Sequence, residues 1–123
     1  MIAPDWAGYL RFRPQFAEVI DPQRYTLEWL DDEILSGRML LWVGDKAAII
    51  AKLEVYPTGA TDIHGMIAAG DLAEIRDRLI PQAEQWARAL GCIGAGISSR
   101  EGWARALKGS GYSVHQIMVR KEL

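Results

Sequence analysis

The sequence predicts a single α+β domain over residues 1–123, with a mostly antiparallel, twisted sheet of about five strands and helices on both faces. Three observations predict it. The first third carries apolar residues at helical spacing. The middle shifts to β-type runs separated by Gly- and Pro-containing turns, and the remainder alternates helix, strand, helix, strand.

Trp6, Tyr9 and Leu10 fit one helical turn, Pro14 interrupts, and Phe16, Val19 and Ile20 resume, so two short helical pieces are expected before Asp21. Asp21-Pro22 is a capping residue followed by proline at a first helical position. Tyr25, Trp29, Leu30 and Ile34 then recur at helical spacing, and Ser36-Gly37 supplies a left-handed stop. Met39–Val43 and Ala47–Tyr56 flank Gly44-Asp45-Lys46 and read as a hairpin. After the turn at Pro57-Thr58-Gly59, alternation from Thr61 to Ile67 makes a third strand and completes a meander.

Leu72, Ile75, Leu79, Ala83, Trp86 and Leu90 form the strongest helical stripe, with Asp71 as N-cap and Gly91 as stop. Pro81 falls inside that stripe, which predicts a kink or restart near Leu79–Ile80. Cys92–Ile97 is a short strand, Arg100–Lys108 a short helix, and Tyr112–Arg120 alternates as a last strand.

Half of the residues are hydrophobic and 24% are charged, which excludes a disordered tail and a coiled coil. The formal charge of −2 and a pI near 5.6 give no net attraction to nucleic acid or anionic lipid. One cysteine, Cys92, makes no intrachain disulfide and no zinc cluster, and reads as a core thiol. No secretory signal is visible and no apolar run approaches the ~20 residues a membrane span needs. A cytoplasmic location is expected. The five tryptophans read as core and interface packing, and Arg76, Arg78, Arg88, Arg100 and Arg105 as a solvated face interleaved with acids.

Gln85-Trp86-Ala87-Arg88-Ala89-Leu90-Gly91-Cys92 resembles the end of the central helix and the start of the fifth strand in the GNAT (Gcn5-related N-acetyltransferase) family. Trp103-Ala104-Arg105-Ala106-Leu107, followed by Gly111-Tyr112, resembles that family's late helix and its Gly-aromatic strand opening. The likeness covers roughly residues 39–123, and the family's usual first strand is not evident. It implies the GNAT fold and, in ordinary members, transfer of an acetyl group from acetyl-CoA to an amine.

In that family the cofactor pyrophosphate rests on backbone N–H groups at the start of the central helix. The loop usually reads Gln or Arg, two residues, Gly, one residue, then Gly or Ala, so that the backbone can approach the phosphates. The resemblance places the loop at Ala69, Gly70, Asp71, Leu72, Ala73, Glu74 and Arg76. There Asp71 stands for Gln or Arg, and Glu74 and Arg76 replace the small positions, so the loop is degenerate. The family tyrosine that protonates the departing thiolate falls at Leu107, which carries no proton to give. Tyr112 lies nearby and reads either as a core aromatic or as a substitute acid.

His64 shares a strand face with Asp62, where some family members place the base that deprotonates the amine, and Glu54 offers a similar group on the preceding strand. Both also read as ordinary solvated strand residues. His115 reads as packing or surface, and Gly94-Ala95-Gly96 as a place of close backbone approach.

Two vacated hallmarks on a kept scaffold lead to the expectation of a GNAT-like domain that works by binding, with no cofactor and no metal. The degenerate loop and short N-terminus resemble the compact GNAT-like proteins of tailed phages and prophages, which implies a virion or host protein as partner. The alternative is an atypical N-acyltransferase using acetyl-CoA, with His64, Glu54 and Tyr112 as catalytic groups. A homo-oligomer joined at the edge of the last strand is a third expectation.

Overall fold

Asp5 opens the first helix, its carboxylate accepting the Gly8 N–H at 2.9 Å. The computed structural model describes residues 4–99 and 101–123, and α1 spans Trp6–Val19 as one helix. The two pieces expected around Pro14 are therefore continuous. Pro14 and Leu10 both lie on the exposed side, so water can serve the carbonyl that proline cannot bond. Tyr9, Phe12 and Phe16 form the buried stripe.

The second helix, α2 (Leu27–Ser36), begins later than Asp21-Pro22 suggests. Asp21 closes a local turn instead, accepting the Arg24 and Tyr25 N–H groups on its carbonyl. Thr26 is the cap of α2, with its hydroxyl accepting the Trp29 N–H at 3.1 Å, and Gly37 ends the helix at φ 78°.

The meander follows as β1 (Leu40–Val43), β2 (Ala47–Val55) and β3 (Thr61–Gly70), all antiparallel. A short β4 (Gly94–Ile97) pairs parallel to β3, and the sheet order is β1-β2-β3-β4. Four strands form among the described residues, against about five expected. The difference lies at Tyr112–Arg120, which joins no sheet and is exposed from Ser113 onward. Alternation makes a segment competent to pair, and pairing also needs an edge to bond.

Ala47 to Ala51 are buried in succession because both sheet faces are covered. Ala48 and Ile50 face α1 and α2, whereas Ala47, Ile49 and Ala51 face the long helix after β3. The β2–β3 register shifts between Ile50↔Ile67 and Ala51↔Gly65, which leaves Met66 as the extra residue of a bulge. The bulge reverses the alternation of β3. Asp62 and His64 thereby share a face with Ile67 and Ala69, while Ile63 and Ala68 face the opposite layer.

The long helix consists of α3 (Leu72–Glu74), a π turn (Ile75–Leu79) and α4 (Ile80–Ala89). The restart expected near Leu79–Ile80 takes the form of this π turn, in which the Ile80 N–H bonds the Ile75 carbonyl five residues back. Pro81 sits in the first turn of α4, where a missing N–H is tolerated. Helix α5 (Glu101–Ala106) and a 3₁₀ turn at Lys108–Ser110 complete the regular structure. The expected start of that helix, Arg100, lies outside the described residues, as do residues 1–3. Among the described residues no helix is long and apolar enough to cross a membrane.

Candidate functional site

The parallel pairing of β3 with β4 runs from Asp62↔Gly94 to Gly65↔Ile97 and stops, while β3 continues to Gly70. At this split, on the α1–α2 side of the sheet, lies an open depression of about 270 Å³. It is lined by Lys52, Glu54, Tyr56, His64, Gly65, Met66 and Ser98. Register sets Lys52 opposite His64 and Glu54 opposite Asp62, so two expected site residues, Glu54 and His64, are brought onto one patch.

Its electrostatics are mixed. Lys52 Nζ lies 3.6 Å from Glu54 Oε2, and the Tyr56 hydroxyl donates to Asp62 Oδ2 at 3.1 Å. That hydrogen bond to a carboxylate, helped by burial, pushes the Tyr56 phenol up from its usual pKa. His64 Nδ1 is buried with no hydrogen-bond partner among the described residues.

The two glycines of β4 make room for these side chains. A Cβ on Gly96 would sit 3.4 Å from His64 Cε1, and one on Gly94 would sit 2.7 Å from Asp62 Oδ1. The sequence reading of close backbone approach at Gly94-Ala95-Gly96 describes this contact. Among the patch members the sequence reading did not single out are Lys52 and Tyr56. The period-two alternation that selects Glu54 also selects both of them.

Tyr112 is elsewhere. It packs against the α4 side of the sheet, and its hydroxyl donates to Glu84 Oε2 at 2.8 Å. Burial first, and then the Glu84 carboxylate, push its phenol well above the usual range. Tyr112 and His64 border Gly65 from opposite faces, Tyr112 lining a small apolar cavity of about 30 Å³ with Ile97 and Ala83. Leu107, at the position of the family tyrosine, is buried in the core.

The start of the long helix has a different chemistry. One residue, Asp71, connects β3 to α3. Its Oδ2 accepts the Glu74 N–H at 2.9 Å, and its own N–H bonds the Lys46 carbonyl at 3.0 Å. Glu74 turns back, Oε1 accepting the Lys46 N–H at 2.9 Å and Oε2 lying 3.6 Å from Arg78. Gly70 has φ 101°, and a Cβ there would overlap the Lys46 backbone, so its glycine serves packing against the β1–β2 turn. Ala69 is core, Leu72 and Ala73 are exposed, and Arg76 is paired to Asp77 at 2.7 Å. Two carboxylates and a one-residue connection thus stand where the resemblance places the phosphate loop.

Cys92 packs beside the α4 core and His115 is exposed. Trp42 meets Trp86 edge-on at 5.6 Å, Trp6 stacks on Tyr9 at 5.0 Å and Trp29 lies against Tyr25 at 4.7 Å, which is packing geometry. Among the described residues no cluster of ligating side chains could hold a metal ion.

Helices on both faces of a sheet whose third and fourth strands run parallel and then part define the fold of the GNAT acetyltransferases, and solved structures match it over nearly the whole chain. An acetyltransferase of Trypanosoma brucei superimposes with a TM-score of 0.69 at 12% identity, covering 99% of this chain and 97% of its own. A predicted acetyltransferase of Clostridium acetobutylicum, solved with acetyl-CoA, matches with a TM-score of 0.65 at 10% identity, covering 95% and 88%. A transcriptional regulator of Bacillus halodurans matches with a TM-score of 0.70 at 10% identity, covering 99% and 97%. No protein-family model and no curated protein matches the sequence. Likeness at this level concerns the fold.

Proposed function

We propose that this chain keeps the GNAT scaffold but has given up standard acetyl-CoA-dependent transfer and acts by binding. The observation that carries this reading is the single-residue connection between β3 and α3, with Asp71 capping the helix and Glu74 folded onto Lys46. A helix N-terminus favours an anion by about 0.3–1 kcal/mol. A fixed carboxylate about 5 Å from a phosphate opposes it by roughly 1–3 kcal/mol at effective dielectrics between those of water and a protein surface. Repulsion wins, and the glycines that would bring backbone amides to the phosphates are missing.

The binding patch of this reading is the depression around His64, and the partner is a protein of a phage or prophage particle or of its host. That origin rests on resemblance to the compact GNAT-like proteins of tailed phages. Calorimetric titration with acetyl-CoA and with free coenzyme A tests the loss of transfer. No heat and no thermal shift at millimolar ligand are expected, and micromolar binding would overturn the reading.

One observation favours a second reading, an atypical N-acyltransferase. His64 and Glu54 line the same open depression beside β4, a placement suited to taking a proton from an amine. Tyr112 fits that reading poorly, since its hydroxyl donates a hydrogen bond to Glu84 on the opposite face.

A further inference from the structure

Two cross-strand pairs put the polar groups of the His64 depression in order. Lys52 stands directly opposite His64, and Glu54 directly opposite Asp62. Alternation along β2 places Lys52 and Glu54 on the face of Ala48 and Ile50, the α1–α2 side. One row therefore offers N–H donors, since an ammonium carries three and an imidazole carries one in either charge state. The next row, about 7 Å along the strands, offers only carboxylate acceptors. The patch is bipolar.

Like charges directly opposite each other destabilise a strand pair. Here each carboxylate is answered in part. Asp62 accepts the Tyr56 hydroxyl at 3.1 Å, and Glu54 faces Lys52 Nζ at 3.6 Å. That ion pair bridges the two rows, but its side chains are 39% and 42% exposed, so it opens at little cost. An ammonium seated between Glu54 and Asp62 would relieve their repulsion. Gly94 and Gly96 give Asp62 and His64 room to lie over β4.

Size and spacing select the ligand. The depression, about 270 Å³, falls just below the roughly 300–1,000 Å³ of sites for drug-sized molecules, so its ligand is smaller. An α-amino acid carries both charges on one carbon, its nitrogen and carboxyl carbon about 2.5 Å apart. Hydrogen bonds of about 2.8 Å at each end extend that span to about 8 Å, close to the distance between the rows.

We infer that the depression binds a free α-amino acid, with its carboxylate on Lys52 and His64 and its ammonium on Glu54 and Asp62. The inference rests on the reading of this depression as the binding patch, and adds a small ligand to the protein partner proposed there.

Titration of the natural α-amino acids, one at a time, into the isotope-labelled full chain tests it through the amide resonances of Lys52, Gly65 and Ser98. At least one should saturate these shifts with a dissociation constant of about 1 mM or lower. Its methyl ester, its N-acetyl derivative and γ-aminobutyrate, whose charges stand two carbons further apart, should each bind about tenfold more weakly. Lys52→Gln should bring the affinity for the free acid down to that for the ester, and leave the ester unaffected. No saturating amino acid, shifts confined to residues outside the depression, or an ester that binds as well as the acid would overturn the inference. Each of those results leaves the loss of transfer standing, since that reading falls to micromolar binding of acetyl-CoA or coenzyme A.

Discussion

Glu74 reaches back across the start of the long helix to accept the backbone N–H of Lys46 at 2.9 Å. This bond clamps the β1–β2 turn to the start of the long helix, where the resemblance places the phosphate loop. Glu74→Ala should destabilise the fold by about 1–2 kcal/mol, since the acceptor is charged and its side chain is only 9% exposed. Urea unfolding reads that loss. The variant should still show no heat with coenzyme A, because removing one charge does not lengthen a one-residue connection. Recovered micromolar binding would mean that Glu74 alone was the obstacle.

Gly70 should tolerate no side chain. With φ at 101° and the Lys46 backbone in the way, Gly70→Ala combines a left-handed strain with an overlap against main chain. A loss of more than about 2 kcal/mol is expected, near the top of the range for single substitutions. Gly91, also left-handed but with nothing near its Cβ position, should lose less on the same change. Thermal midpoints of the two variants compare these directly.

Asp31 joins the first two helices. It accepts Arg13 Nε at 2.9 Å and Nη2 at 2.6 Å, and the hydroxyl of the fully buried Tyr9 at 2.6 Å. The Arg13 hydrogen bonds, with that of Tyr9, hold its carboxyl below the usual carboxylate range against the opposing effect of burial. A depressed folded-state pKa contributes stability above the ordinary value of about 3.9, lost as pH falls through the depressed value. Asp31→Asn should therefore cost about 1–3 kcal/mol near neutrality and flatten the acid limb of stability. Denaturant midpoints between neutral and acid pH test both effects.

Tyr112 makes the opposite prediction. Burial and Glu84 raise its phenol pKa, so its contribution is intact below the ordinary tyrosine value of about 10 and is lost as pH rises through the folded one. Tyr112→Phe should cost about 1 kcal/mol at neutral pH and remove part of the alkaline loss. Tyr9, raised by burial and by Asp31, retains the remainder.

Much of this molecule is legible in its sequence because both sheet faces are buried. Covered faces enforce apolar runs such as Ala47–Ala51, and the helical stripe through Ile75, Leu79 and Ala83 is written in spacing. The misreadings come from features that spacing does not encode. Pro14 is tolerated because its side of α1 meets water, which the one-dimensional pattern does not disclose. Residues 113–120 alternate like a strand, but whether an edge is offered depends on the rest of the fold. At the site, the shared face of Asp62 and His64 was readable by period two. The placement of Tyr112 across the sheet was not, since it depends on where the chain returns after Gly111.

The π turn between Ile75 and Leu79 also divides the long helix mechanically. Residues 72–74 are fastened to the β1–β2 turn by Asp71 and Glu74, whereas residues 80–89 are fastened to the core by Ile80, Ala83 and Ala87. The wider turn between them carries its Ile80 bond back five residues, so opening on one side need not propagate to the other. In hydrogen exchange the helix should behave as two cooperative units. The amides of 79–89, anchored by the buried Leu79, Ile80, Ala83 and Ala87, would exchange with the core, and those of 73–75 earlier, together with Lys46. The first turn of this helix belongs dynamically to the hairpin turn it grips, and the rest belongs to the sheet it covers.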